Sequence, residues 1–145
     1  MRQTIDLNLI FREDGKSLDE LYQTVPQGNP LSGNYEGFLI FFPGGLMSPL
    51  LRAFGHLVWQ GKVFADDGQS LVNLVTLFRI KRVPAKVYTA ESWLDGKSAT
   101  IFDYSKSSFI ARFVRDEVRE IAPGLYLGQA YFGKRRVFRF ALQRD

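Results

Sequence analysis

The chain has 145 residues, of which 14% are aromatic and 23% charged, with one histidine and no cysteine. Its length suits a single domain over residues 1–145, with a core large enough to need no metal or disulfide. A chain without cysteine has no disulfide, thiolate zinc site, cysteine nucleophile or iron–sulfur cluster, and one histidine excludes a two-histidine metal centre. We therefore expect no cofactor and no metal.

Charge is distributed unevenly along the sequence. Residues 1–72 carry five Lys and Arg against eight Asp and Glu, whereas residues 73–145 carry 14 against seven. A basic half attracts phosphates, nucleic acid or an anionic membrane surface. A net charge of +4 is also ordinary for a solvated exterior, so both interpretations stay open.

The first 30 residues have the character of an N-terminal extension. Ser17 followed by Glu20 forms a capping box, which predicts a short helix over about 18–24. The first residues lack the apolar stretch of a signal peptide, and the apolar run 38–42 is too short to cross a bilayer. These features favour a cytoplasmic location.

Runs of β-forming residues separated by Gly, Pro and Asp turns predict strands through the rest of the chain. A Ser-Pro start and helically spaced apolar residues predict a short helix over 49–57. Residues 108–114 favour another short helix, while 115–121 fit either a helix or a strand. The predicted strands are 34–42, 58–65, 71–78, 85–93, 98–104, 125–132 and 136–143.

Seven or eight short strands with two or three short helices indicate a mainly β fold, either an antiparallel sandwich or a barrel. A barrel of about eight strands can enclose one small ligand, and the many aromatic residues would then line its cavity. A barrel filled solidly by the same aromatic residues is the alternative. The barrel would occupy residues 31–143, after the extension.

The first long strand opens with Gly33-Asn34-Tyr35-Glu36-Gly37. Further segments follow in a fixed order: 59–64, 92–97, 103–105, 115–119 and 122–128. Together they resemble small lipocalin-like (calycin) proteins with a GXWXG-type start and a poorly characterised C-terminal half. Tyr35 stands where that motif has Trp, and the resemblance spans about residues 31–142. It implies a calycin-like barrel that binds an apolar or amphipathic small molecule or lipid, and it implies no reaction.

Lys62 is the first candidate functional residue. Strand alternation places Lys62 on one face with Gln60 and Phe64, and Trp59 on the opposite face. If the Phe64 face points inward, Lys62 enters the barrel, where burial lowers a lysine pKa unless an acid pairs with it. It would then bind an anionic head group or form a Schiff base. An outward lysine is the alternative.

Two carboxylates in the middle part of the basic half, Asp103 and Glu117, are the next candidates. Asp103 shares a strand face with Ile101 and enters the barrel if that face points inward. The charged run 115–119 is either a solvated, salt-bridged surface or a cluster that closes one barrel end and grips a polar head group with Arg115. Asp103 or Glu117 would serve Lys62 as an acid/base partner in an enzyme.

Three further features of the sequence give weaker indications of function. His56, near the end of the predicted helix, favours a surface or helix-capping role. The apolar residues Leu46, Met47, Leu50, Leu51 and Phe54 predict either a lid over a barrel opening or a permanent cap. The basic turn 134–136 has aromatic neighbours, but Phe138 and Phe140 have the spacing of core residues, so we expect no nucleic-acid partner.

We therefore predict a cytoplasmic barrel that binds a hydrophobic or amphipathic ligand, or a lipid, with an anionic head group. An isomerase or cyclase that uses Lys62 with Asp103 or Glu117 is the alternative, and a solidly packed interaction domain is a third. Unpaired strand edges or exposed aromatics would favour a homodimer. The predicted ligand-binding residues are Phe42, Trp59, Lys62, Phe64, Asn73, Ser92, Asp103, Arg115, Tyr126, Phe138 and Phe140.

Overall fold

Eight antiparallel strands form a closed barrel in the computed structural model, which describes residues 4–44, 48–107 and 109–145. Each strand pairs with the next in sequence, and the last pairs with the first. The strands are β1 (Gly33–Ile40), β2 (Trp59–Phe64), β3 (Ser70–Val75), β4 (Ile80–Glu91), β5 (Ser98–Asp103), β6 (Val114–Ala122), β7 (Leu125–Phe132) and β8 (Arg135–Arg144).

The predicted mainly β fold with an antiparallel barrel is confirmed, and the number of strands is eight. Residues 115–121, which fitted either a helix or a strand, belong to β6. The helix predicted over 108–114 is a 3₁₀ turn, Phe109–Phe113, and Ser108 lies outside the described residues. Helix α3, Pro49–Val58, lies where the sequence predicts it, with Ser48 as its N-cap. Within the described ranges, no helix is both long and apolar enough to span a bilayer.

Two helices precede the barrel: α1, Leu7–Arg12, and α2, Gly15–Thr24. The predicted capping box at Ser17 is wrong, because the Asp14 carboxylate accepts the Ser17 backbone N–H and α2 begins at Gly15. Aspartate is as good an N-cap as serine. Apolar residues of both helices pack on the outer faces of β6, β7 and β8, so this part of the barrel wall is buried on both sides.

The alternating strand directions bring the connections to two opposite ends of the barrel. We call one end the mouth, which comprises the described residues of segments 41–58, 76–83, 104–114 and 132–137. We call the other the base, which includes the turns after β2, β4 and β6. Towards the base the interior is filled by aromatic rings in edge contact: the Tyr35 centroid lies 5.3 Å from that of Phe64 and 5.7 Å from that of Tyr126.

Candidate functional site

A cavity of about 230 Å³ lies inside the barrel on the mouth side of this aromatic core. Its apolar wall includes Leu39, Trp59, Val75, Val83, Phe138 and Phe140. Its polar side chains are Lys62, Asn73, Tyr104 and Asp116, which we call the interior polar cluster. Each of these four side chains is buried.

An irregularity in β2 brings Trp59 and Lys62 into the same cavity. The register between β2 and β3 shifts between Trp59 and Gly61, and Gly61 has a φ of 145°. The alternation that placed Trp59 opposite Lys62 is therefore wrong, because the extra residue of a β-bulge changes the phase of a strand. Gln60, predicted to share the Lys62 face, instead donates its amide N–H to the carbonyls of His56 and Leu57.

The glycine at the end of the Gly33–Gly37 motif makes room for the indole of Trp59. A Cβ atom on Gly37 would lie 2.4 Å from the ring of Trp59, a separation that heavy atoms do not tolerate. Trp59 Nε1 in turn donates to Asn73 Oδ1 over 3.0 Å. The motif thus fixes the aromatic wall of the cavity, and it leads through Trp59 to the interior polar cluster.

Lys62 contacts all three other members of the interior polar cluster. Its Nζ lies 2.7 Å from Asn73 Oδ1, 2.5 Å from the Tyr104 hydroxyl and 3.3 Å from Asp116 Oδ2. Tyr104 also lies within hydrogen-bond distance of Asp116, at 3.3 Å. An ammonium has three donors, and each has a partner here. The cluster is thus a direct Lys62–Asp116 ion pair, with Tyr104 in contact with both charges and Asn73 in contact with Lys62 and Tyr104.

Burial shifts the pKa values of the cluster in opposite directions. Desolvation lowers the pKa of Lys62, and the neighbouring Asp116 carboxylate opposes this shift. Desolvation raises the pKa of Asp116, which Lys62 opposes in turn. The pKa of Tyr104 lies well above its ordinary value because of burial and the nearby Asp116 charge. Perturbed acids and bases that converge in a cavity are typical of functional sites.

The backbone at the cavity edge is strained at Val83. Its φ is 58°, a conformation that a β-branched residue rarely adopts, and Pro84 further restricts the residue before it. The carbonyl of Val83 accepts the Asn73 side-chain amide over 2.9 Å. Strain of this kind concentrates at functional sites, and here it positions a member of the interior polar cluster.

A second polar cluster lies on the outer wall of the barrel, beside α2. Glu117 is fully buried there. Its carboxylate accepts from Ser92 over 2.5 Å, from Gln129 over 2.6 Å and from Arg115 over 2.7 Å. Two residues further along β6, Arg119 forms a two-pronged ion pair with Asp95, at 2.6 and 2.8 Å. These contacts join β6 to the loop after β4, outside the cavity.

The structure separates nine of the eleven predicted ligand-binding residues into three groups. Five line the cavity: Trp59, Lys62, Asn73, Phe138 and Phe140. Phe64 and Tyr126 lie in the aromatic core, and Ser92 and Arg115 lie in the outer cluster.

The remaining two predicted ligand-binding residues, Phe42 and Asp103, do not face the interior of the barrel. Phe42 follows the end of β1 and is exposed, so it forms no part of the interior wall. Asp103 lies on the outer face of β5, where it accepts from the Tyr88 hydroxyl over 2.9 Å. Because Asp103 and Glu117 both face away from Lys62, the acid/base pairs predicted with them do not form.

Sequence reasoning missed two residues of the interior polar cluster, Asp116 and Tyr104. Had residues 115–121 been assigned to a strand, Asp116 would share its face with Val118, a core residue. Tyr104 required the other face of β5, that of Phe102, to point inward. The first assignment would have identified the acid beside Lys62, and the second its tyrosine partner.

The remaining candidate features lie outside the interior polar cluster. His56 contacts Glu36 at 3.2 Å and stacks on Phe38, and of the predicted lid residues Leu46 and Met47 fall outside the described residues. A larger concavity of about 460 Å³ lies against β2, β3 and β4, but its charged side chains are exposed or half-buried. In the described part of the chain, no three acidic or histidine side chains lie close enough to ligate a metal ion.

Comparison with known proteins identifies the fold alone. No family model matches the chain, and no curated protein is significantly similar to it. The crystal structure of a protein from Thermomonospora curvata aligns with a TM-score of 0.61 and 18% sequence identity. The alignment covers 91% of this chain and 88% of that chain. At this identity the likeness carries no ligand or activity from one protein to the other.

Proposed function

We propose that the barrel binds a small hydrophobic or amphipathic molecule, with its apolar part against the aromatic wall and its polar end at the interior polar cluster. The observation that carries this proposal is the buried Lys62–Asp116 pair at the surface of an apolar cavity. Two buried charges stabilise a fold no better than well-packed apolar residues of similar volume. A charged pair that borders a cavity is therefore better accounted for by a ligand than by stability.

The cavity limits the ligand to a small one. Its 230 Å³ lies just below the ~300–1,000 Å³ of pockets for drug-sized ligands. It holds one small molecule, or one end of a longer acyl chain whose remainder leaves through the mouth.

An anionic head group would have to compete with Asp116 for Lys62. Because burial raises the pKa of Asp116, this carboxyl takes up a proton as pH falls, and Lys62 then needs another counter-ion. A ligand carboxylate can supply it. We therefore expect a fatty acid to bind more tightly at mildly acidic than at alkaline pH, whereas the affinity for a neutral alcohol of equal chain length should stay constant.

Titration with decanoate and decanol tests this proposal, with the fluorescence of Trp59 as the readout. Trp93 lies outside the barrel wall and is removed by Trp93→Phe, so that Trp59 is the single reporter. Lys62→Met should weaken decanoate binding at every pH, because it removes the counter-ion of the head group, while Lys97→Met, at the base, should leave binding unchanged. If neither compound alters Trp59 emission at any pH, and native mass spectrometry detects no co-purified ligand, the binding proposal fails.

A calycin-like relationship and a cytoplasmic location are further parts of the proposal. The close fit of Gly37 against Trp59 gives the Gly-x-Tyr-x-Gly sequence a structural role at the start of the barrel. This role supports the calycin-like relationship. The cytoplasmic location stays a prediction from the sequence, as does the homodimer.

An enzyme in the same cavity is the second candidate function. Asp116 would be the acid that works with Lys62, in place of Asp103 and Glu117, which face away from it. The specific observation is the lowered pKa of Lys62 beside Asp116, since a neutral amine is a nucleophile for carbonyl compounds. The Lys62 nitrogen would add to an aldehyde carbon, and loss of water would leave an imine. Borohydride reduction with a limiting amount of decanal should then add a decyl group at Lys62 in preference to the exposed lysines, as located by peptide mass spectrometry, and Lys62→Met should remove that preferred site.

A further inference from the structure

Exposed apolar side chains are concentrated at the mouth of the barrel. Of the 15 large apolar side chains that are exposed among the described residues, all but Tyr88 and Trp93 belong to the four mouth segments. Leu50 in α3 is 81% exposed, and Phe78 in the turn after β3 is 78% exposed. Exposed apolar patches of this extent mark interaction sites. The most exposed members are Leu50, Phe54, Leu77, Phe78 and Ile110.

The same segments carry a charge of one sign. They contain nine of the 19 Lys and Arg of the chain and none of its 15 Asp and Glu. The remainder of the chain therefore has ten basic and 15 acidic residues, a balance of −5. Within the described ranges, Arg136 is the one basic residue of the nine that forms an ion pair, with Asp19. The mouth is thus positive and apolar, and the rest of the molecule is negative.

Charge complementarity decides which partner fits the mouth. A second copy of this chain, docked mouth to mouth, would bring two positive surfaces together, which is unfavourable. An anionic bilayer offers both properties that the mouth requires. Lys and Arg bind the phosphate and carboxylate head groups, while Leu and Phe side chains enter the interface between head groups and acyl chains.

We propose that the protein docks by its mouth on an anionic phospholipid surface. Residues of the mouth also line the cavity, among them Val83 and Val114, so docking would place the cavity against the bilayer. The inference itself rests on the exposed surface and does not depend on what the cavity binds.

Co-sedimentation of the full chain with vesicles tests the proposal. We expect binding to phosphatidylcholine vesicles with about 30% phosphatidylserine, weak binding to pure phosphatidylcholine, and release by salt. Because each basic residue near the surface contributes roughly a five-fold factor, Lys81→Glu with Lys134→Glu should weaken binding ~25-fold or more. Leu77→Ser with Phe78→Ser should also weaken it, since both side chains are exposed and their replacement leaves the core intact.

The matched control reverses two exposed charges at the base, Lys97→Glu with Arg144→Glu. It changes the net charge equally, and we expect less than about a three-fold effect at physiological salt. An equal loss in the two charge-reversed variants would overturn docking by the mouth, as would no binding to acidic vesicles. Sedimentation equilibrium showing a dimer that Phe78→Ser dissociates, without vesicle binding, would assign the mouth to a second copy instead.

Discussion

Replacing Lys62 with methionine should destabilise the protein by about 3–5 kcal/mol at neutral pH, because the change leaves the Asp116 carboxylate buried without its counter-ion. Lys62 and Asp116 are 3% and 5% exposed, so water cannot take over the lost contacts. Without the ammonium that opposes its desolvation, the pKa of Asp116 rises further.

The pH dependence separates this explanation from simple loss of packing. A carboxyl whose folded pKa is raised contributes stability that is present below the unfolded value of 3.8 and is lost as pH rises through the folded pKa. Lys62→Met should therefore cost less at pH 5 than at pH 8. Asp116→Asn leaves a lysine with a lowered pKa, whose stability contribution is lost as pH falls, so its cost should change in the opposite direction.

Urea unfolding followed by circular dichroism measures these differences. The double variant Lys62→Met with Asp116→Leu removes both charges, and its free energy of unfolding should be within about 1 kcal/mol of the wild type, or higher. If the double variant instead loses the sum of the two single losses, and neither single loss depends on pH, then the two side chains are not coupled as an ion pair.

Three other substitutions test separate parts of the fold. Gly37→Ala should cost about 1–3 kcal/mol and shift tryptophan emission, because the new methyl group overlaps Trp59; unchanged emission would argue against this packing. Glu117→Leu should cost about 3 kcal/mol, since it strands buried donors such as Ser92, yet decanol binding should persist because Glu117 lies outside the cavity. Asp19→Asn should lower the free energy of unfolding by about 1 kcal/mol or less, because its ion pairs are partly exposed.

Seven of the eight strands could be predicted because turns and alternation are encoded locally, whereas the sequence left the region of β6 open between helix and strand. The faces of β5 and β6 that point into the barrel could not be predicted, because the N-terminal helices and the outer polar cluster bury the outside of this part of the wall. On β5, Ile101 and Phe102 are both buried, one on each side. Apolar residues on both faces remove the alternation that identifies the interior. Asp116 and Glu117 are likewise adjacent and both buried, and tertiary packing alone distinguishes them.

The interior polar cluster depends on distant segments in a way that no short motif records. Lys62 is on β2, Asn73 on β3, Tyr104 after β5 and Asp116 on β6. Lys62 was identified because the residues after the bulge keep a regular alternation. Asn73, on the neighbouring strand, was identified as well, but Tyr104 and Asp116 required the closed sheet, which brings β2 opposite β6 across the interior.

The bulge at Gly61 gives β2 one residue more than a regular strand needs. Deleting Gln60 would remove the bulge and leave Trp59 and Lys62 two residues apart, a spacing that keeps both side chains on one face of a regular strand. A shorter β2 could therefore still bring the indole and the ammonium into the cavity. Restoring regular pairing without shortening the chain would instead turn the indole out of the cavity, so in a comparison with relatives of this chain the spacing and the pairing of β2 have to be considered together.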